Sequence, residues 1–353
     1  MRTSWVLFLV ILFLLWLLWD VLTPLRQVSL IIGSVWVALQ LSYRLSRFIA
    51  KHTWVRRVRG NGKAVLITGC DTGFGHRLAK RLSRKGFLVF AGCLSSKSDG
   101  AEALKCLSNV KVLQMDVTKQ EEVDDALDVV KEHLGDRVLW SVVANAGIGS
   151  GGLLEWTSLD TVAKIFDVNV FGVLRIIKTF LPLLRKSKGR VVTLASPLGR
   201  FTAPMTAPYC MSKYAVISMM DGFRRECYGK GVDFITVEPS AYRTSIVTMF
   251  NPPKDQVMRE FRKQAPDVIA DYSEEEIVEW LRMTAELSKT LIRQDPEECV
   301  DVIESAVTET HPTIRYRSPW GSDYSFLLLL TSVPAEVADI IVSLTRRIQI
   351  KML

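Results

Sequence analysis

A tyrosine, a lysine and a serine spaced for proton transfer stand in the middle of this chain. Tyr209 and Lys213 fall in Pro208-Tyr-Cys-Met-Ser-Lys213, and Ser196 lies thirteen residues before the tyrosine. A free phenol has a pKa of about 10, so it carries protons at neutrality only if a nearby cation pulls that value down. Lys213 is the candidate cation, because i, i+4 spacing puts both side chains on one face of a helix. Ser196 follows the β-rich run Gly189-Arg-Val-Val-Thr-Leu-Ala195, and a strand ending there would aim its hydroxyl at the same point. Taken alone, a tyrosine and a lysine at helical spacing are more often an amphipathic surface pair. The chemistry therefore depends on the elements around them.

Upstream, Lys63-Ala-Val-Leu-Ile-Thr-Gly69 reads as a short buried strand, and Cys70-Asp-Thr-Gly73-Phe-Gly75 leads into a helical pattern that Gly86 closes. Phe87-Leu-Val-Phe-Ala-Gly92 is a second buried strand. Strand, glycine turn, helix, strand is a βαβ unit, and the free amides at such a helix start can receive a pyrophosphate. A lone glycine turn would carry little weight; one set in this unit carries more.

With these motifs in order, the chain resembles the short-chain dehydrogenase/reductase family over about residues 62–320. Thr68-Gly69, Gly73, Phe74 and Gly75 resemble its cofactor motif, Asn145-Ala146-Gly147 its central sheet motif, and Asn169, Ser196, Tyr209 and Lys213 its catalytic tetrad. Segments such as Leu113-Gln-Met-Asp-Val-Thr118 and Phe180-Leu-Pro-Leu-Leu184 are similar to a membrane-associated branch. That branch includes 17β-hydroxysteroid dehydrogenase type 2, which we place nearest, the retinol dehydrogenases and 3-hydroxybutyrate dehydrogenase. The resemblance implies a Rossmann-type, doubly wound parallel sheet, a dinucleotide held also by Asp116, Val117, Tyr209, Lys213 and Thr244, and a homo-oligomer. It further implies that Asn169 holds a water linking Lys213 to solvent; read alone, Asn169 is a buried helix asparagine satisfying backbone groups.

Two positions depart from the family pattern. Ala144 replaces the first asparagine of the sheet motif, and Ser240 follows Pro239 where glycine is usual. If Ser240 needed positive φ, a serine there would cost about 1 kcal/mol and shift the loop that grips the nicotinamide. Cofactor choice is open from the residues: Cys93-Leu-Ser-Ser-Lys97 offers hydroxyls and one lysine, with no acid after the second strand. Resemblance to the oxidative branch points to NAD, with NADP still open.

Alternating patterns sketch the rest of an α/β fold. Strands are predicted at 110–115, ending at Asp116, and at 140–144, 190–195 and 233–238. Helices are predicted at 120–133, 159–184 and 209–228, with 245–295 a charged helical substrate cover. Asp116 could instead cap the helix at 120–133. The expected organisation is a membrane anchor at 1–45, a basic linker at 46–62, the dehydrogenase domain at 63–320 and an apolar C-terminal segment at 321–353.

The net charge of +8 suggests nucleic acid until it is located. Residues 1–63 hold nine Lys/Arg against one Asp, while the remainder holds 36 of each sign, so the excess belongs to a membrane flank. Residues 4–19 are uncharged, and with Asp20 at an interface the run reaches residue 25, enough to span about 30 Å of hydrocarbon. Residues 28–43 form a second apolar run that would span or lie in the interface. A signal peptide is disfavoured, since no small-residue cleavage site follows. Arg44, Arg47, Lys51, Arg56, Arg57, Arg59 and Lys63 then place the domain on the cytosolic side. The six cysteines show no paired spacing and read as reduced, buried residues; with four scattered histidines, no metal site is expected.

The expected activity is NAD(P)-dependent interconversion of an alcohol and its carbonyl on a lipophilic substrate, a steroid or retinoid, at the endoplasmic reticulum. One alternative is 3-hydroxybutyrate oxidation at a mitochondrial membrane, which would call for a cation in the substrate pocket. Another is a catalytically weak, cofactor-binding scaffold, motivated by Ala144 and Ser240.

Overall fold

The computed structural model describes residues 3–18, 23–53, 56–318 and 330–352, in two compact units, Met1–Arg56 and Arg57–Leu353. The first unit is a pair of helices, α1 (Thr3–Leu17) and α2 (Thr23–Thr53), with exposed apolar side chains such as Trp16, Ile31, Ile32 and Trp36. The 15 residues of α1 rise about 22 Å at 1.5 Å each, and α2 interleaves its apolar run with Arg26, Arg44, Arg47 and Lys51. Among the described residues no helix is long and apolar enough to cross a membrane. Residues 19–22 of the first predicted run and 321–329 of the predicted C-terminal segment lie outside the described residues.

The second unit is built on seven parallel strands: β1 (Lys63–Thr68), β2 (Leu88–Cys93), β3 (Val110–Gln114), β4 (Val138–Ala144), β5 (Arg190–Leu194), β6 (Asp233–Glu238) and β7 (Arg315–Arg317). Their order is β3-β2-β1-β4-β5-β6-β7. The chain reverses direction across the sheet between β1 and β4, and that switch point opens the crevice at the strand C-termini. β7, which pairs Tyr316 with Val237, is too short and too polar to read from sequence.

Helices α3 (Gly73–Arg84), α4 (Asp99–Lys105), α5 (Gln120–Leu134), α6 (Leu159–Phe166), α7 (Val173–Ser187) and α8 (Ala207–Glu226) connect the strands. Because side chains alternate along a strand, Val65 and Ile67 pack on one face of β1 with Leu78 and Leu82 of α3. Ala64 and Leu66 pack on the other with Val123, Ile177 and Val216 of α5, α7 and α8. The predicted single helix at 159–184 is instead interrupted by one wide turn, Asp167–Gly172, with i→i+5 bonding. Gly172 lets that turn press on β3's exit, since a Cβ there would stand 2.7 Å from Val117 Cγ2.

The segment at 245–295 forms α9 (Ser245–Phe250), α10 (Lys254–Phe261), α11 (Pro266–Ala270) and α12 (Glu274–Leu291), with a core of its own in which Trp156 is surrounded by Val257, Phe261 and Ile277. Next, α13 (Glu297–Thr308) returns to the sheet. Its last carbonyls lack helical partners. Buried Arg190 donates to the Ala306, Val307 and Glu309 oxygens at 3.1, 3.2 and 2.7 Å, and Trp140 Nε1 to Val307 O at 2.8 Å. Arg57, the first residue of this unit, meets the same helix, its guanidinium on buried Glu304 at 2.8 Å. The chain ends in α14 (Ala335–Met352).

Candidate active site

The glycine turn between β1 and α3 is shaped by what it must let past. Gly69 and Gly73 adopt φ of +70° and +64°, a region that costs other residues about 1–2 kcal/mol. A Cβ on Gly75 would lie 2.5 Å from Gly69 O, and one on Gly69 2.9 Å from Ala146 Cα. The turn is bound to the end of β4: Thr68 Oγ1 accepts from Asn145 N and Ala146 N at 3.1 and 3.0 Å, and Asn145 Nδ2 donates to Thr68 O and Gly69 O at 2.8 and 3.1 Å. Phe74 packs edge-on against buried Tyr242, with ring centroids 5.7 Å apart.

One continuous cleft of about 1860 Å³ takes in Gly69, Gly73, Phe74, Asp116, Val117, Asn145, Ala146, Gly147, Ser196, Tyr209, Lys213 and Thr244. Thr68, Gly75 and Asn169 stand behind its wall as supports. The open glycine cradle and the free amides at the start of α3 fit a dinucleotide pyrophosphate.

Ser196 leaves β5 in extended conformation and caps a single 3₁₀ turn, its Oγ accepting from Leu198 N at 3.2 Å. Tyr209 and Lys213 lie on the inner face of α8 and are both buried. Lys213 Nζ donates to Leu194 O at 2.8 Å and stands 5.5 Å from the Tyr209 ring centre. This corrects the expectation that Lys213 lowers the tyrosine pKa in the free protein. Burial pushes the Tyr209 phenol up, opposed by a hydrogen bond with Ser196, and burial pulls the Lys213 ammonium down to about 8.

Asn169 is fully enclosed by the wide turn. Its Oδ1 accepts from Ile148 N at 2.9 Å, and its Nδ2 donates to Ile148 O at 2.9 Å and to Ser212 Oγ at 3.0 Å. Ser212 Oγ in turn donates to Tyr209 O at 2.7 Å. A serine between the tyrosine and the lysine, three residues after the former, is the sequence signal that this bridge leaves. Phe250 leaves no such signal; it packs edge-on against Tyr209 at 4.9 Å, and nothing local marks it.

Three further expectations change. Asp116 does not cap α5: its Oδ1 accepts from Thr118 N and Oγ1 at 3.0 and 2.7 Å, and Lys119 precedes the helix. Ser240 is unstrained, since among the described residues only Lys188 and Met205 combine a side chain with positive φ, and its N–H donates to Ser318 Oγ at 2.8 Å. Of the cysteines, all free, Cys106 is exposed, just past the end of α4.

The family pattern described as short chain dehydrogenase matches residues 63–255. The chain belongs to that family, which NAD(P) fits as cofactor, and is an alcohol dehydrogenase-type oxidoreductase acting on a small-molecule alcohol or its carbonyl. It is 36% identical over 293 residues to the mitochondrial D-beta-hydroxybutyrate dehydrogenase of Rattus norvegicus, covering 79% of this chain and 83% of the relative. Retinol dehydrogenase 7 of Mus musculus is 35% identical over 86% of this chain and 94% of its own. The Homo sapiens 17-beta-hydroxysteroid dehydrogenase type 6 is 36% identical, over 80% and 88%. Among solved structures, a Burkholderia phymatum short chain dehydrogenase/reductase in complex with NAD shares the fold with TM-score 0.62 and 20% identity, covering 79% of this chain and 95% of its own.

Proposed function

We propose that this protein interconverts a lipophilic alcohol, a steroid or retinoid, and its carbonyl. The observation that carries the reading is the apolar half of the cleft, walled by Leu153, Phe171, Phe201, Met205, Phe250 and Trp280. A small hydroxy acid, as the D-beta-hydroxybutyrate dehydrogenase name implies for that relative, would need a cation over its carboxylate. No arginine lines the cleft among the described residues; of its lysines, Lys213 is held on Leu194 O and Lys164 is exposed on α6. The scaffold alternative loses its main motive with Ser240 unstrained.

Bound NAD(P) supplies the hydride acceptor or donor. In oxidation Tyr209, as the phenolate, takes the substrate hydroxyl proton on Oη, and in reduction the neutral phenol returns it. Ser196 Oγ bonds the substrate oxygen and stabilises charge developing there. Lys213 holds its ammonium beside the tyrosine, and the Asn169–Ser212 bridge fixes the first turn of α8, so the phenol is aimed before substrate arrives. Thr244, at the start of α9 and facing Gly73, is assigned to the nicotinamide carboxamide.

Residues 1–45 are proposed as the membrane anchor and 46–62 as its basic flank, with the catalytic unit cytosolic on the endoplasmic reticulum and assembled as a homo-oligomer. The uncharged first run and the acid-free basic cluster behind it support this orientation. The decisive experiment is turnover of the full chain in detergent micelles on a panel of steroid, retinoid and hydroxy-acid alcohols. Steroid or retinoid oxidation is expected; a hydroxy acid turned over in preference would overturn the substrate class. Protease protection of a C-terminal tag in sealed microsomes tests the orientation: digestion without detergent is expected.

A further inference from the structure

The adenosine end of the cleft carries a carboxylate that the sequence pattern does not place there. In doubly wound folds the ribose lies at the end of the second strand, where an acid about 20 residues beyond the glycines takes the 2′-hydroxyl and a basic residue suits a 2′-phosphate. Here β2 runs out into Leu94-Ser95-Ser96-Lys97, without an acid. Asp71 of the glycine turn fills the gap from the other side. Its Oδ2 accepts from Leu94 N at 2.8 Å, and its Oδ1 accepts from Ser95 N and Ser98 Oγ, both at 3.1 Å. Gly100 lets α4 close over the same residue, since a Cβ there would stand 1.9 Å from Asp71 O.

We propose that Asp71 makes this site select the dinucleotide with a free 2′-hydroxyl, NAD, against the 2′-phosphorylated one, NADP. The inference rests on the family's NAD(P) chemistry. Asp71, Leu94 and Ser95 all line the cleft, so the carboxylate stands on the wall formed by the loop after β2. A carboxylate offers about four lone-pair sites, and three are taken by protein donors, which leaves one on Oδ2 for a ribose hydroxyl. A phosphate has no proton to give that site and meets like charge. No ion pair neutralises Asp71 among the described residues: Arg77 is paired with Glu297 at 2.7 Å and Lys105 with Glu102 at 2.7 Å. Lys97, on the same loop, is exposed and absent from the cleft wall.

The test is binding, independent of turnover: titration calorimetry of NADH and NADPH on the full chain in detergent, for wild type and Asp71→Asn. Wild type should bind NADH about tenfold or more tighter than NADPH, and the ratio should shrink as salt rises from about 20 mM to about 1 M. Asp71→Asn keeps an acceptor for the loop amides while losing the charge, so NADPH should gain about tenfold and NADH change less than about threefold. Equal weakening of both would make Asp71 only a loop clamp and overturn the assignment. So would an unchanged ratio, or a wild-type ratio insensitive to salt. If neither dinucleotide binds the wild type, the cofactor reading fails and the assignment falls with it.

Discussion

Replacing Tyr209 with phenylalanine removes one oxygen from a site whose other members are held independently of it. Lys213 stays on Leu194 O, Ser196 still accepts from Leu198 N, and the edge-on contact with Phe250 uses only the ring. The loss should therefore fall on chemistry. Positioned acid–base catalysis contributes about 10²–10⁴-fold, which is about 3–5 kcal/mol of barrier. Tyr209 is only 7% exposed, so solvent has poor access to stand in for the phenol, and a loss near the upper end, about 10³-fold or more in kcat/KM, is expected. One buried hydroxyl contributes about 1 kcal/mol to stability, so Tm should move by no more than about 4 °C. Steady-state oxidation, dinucleotide titration and thermal melting on the same preparation separate these effects. Activity within tenfold of wild type would refute the assignment of the phenol as proton carrier. Lost dinucleotide binding would show that the oxygen holds the cleft together instead.

Ser212→Ala leaves Asn169 Nδ2 and Tyr209 O each short of a partner in the core, so stability should drop by about 1–3 kcal/mol in urea melts and kcat should fall with little change in KM. An unaltered kcat would dismiss the bridge as a positioning device. Gly75→Ala drives a methyl to 2.5 Å from Gly69 O, a backbone atom, and should cost about 1–3 kcal/mol together with most NADH affinity; calorimetry showing normal binding would contradict the cradle. For Lys213, burial lowers the folded pKa to about 8 from the ordinary 10.5, so between those values the unfolded chain holds more protons and stability rises with pH. The gain amounts to about 3 kcal/mol across that window and should be missing from Lys213→Met; parallel stability curves for the two proteins from about pH 8 to about pH 10 would exclude it.

Motifs carried by local chemistry were legible in the chain. The glycine turn is readable because glycine adopts the φ values of Gly69 and Gly73 without the steric cost a Cβ brings, and the tyrosine–lysine pair because helical spacing places two side chains together wherever the helix sits. Six of the seven strands announce themselves as short apolar runs, since a parallel sheet buried on both faces requires them; β7, at three residues beginning and ending in arginine, does not. What the tertiary structure decided are relations between segments far apart in sequence. Asn169 meets Ser212 across 43 residues because one wide turn rotates it inward, and Asp71 meets Leu94 across 23 because βαβ winding lays the glycine turn beside the exit of β2. The protonation balance of the site belongs to the same category. Spacing placed a cation near a phenol, but the fold enclosed both, and desolvation, which depends on everything packed around a group, outweighed their proximity.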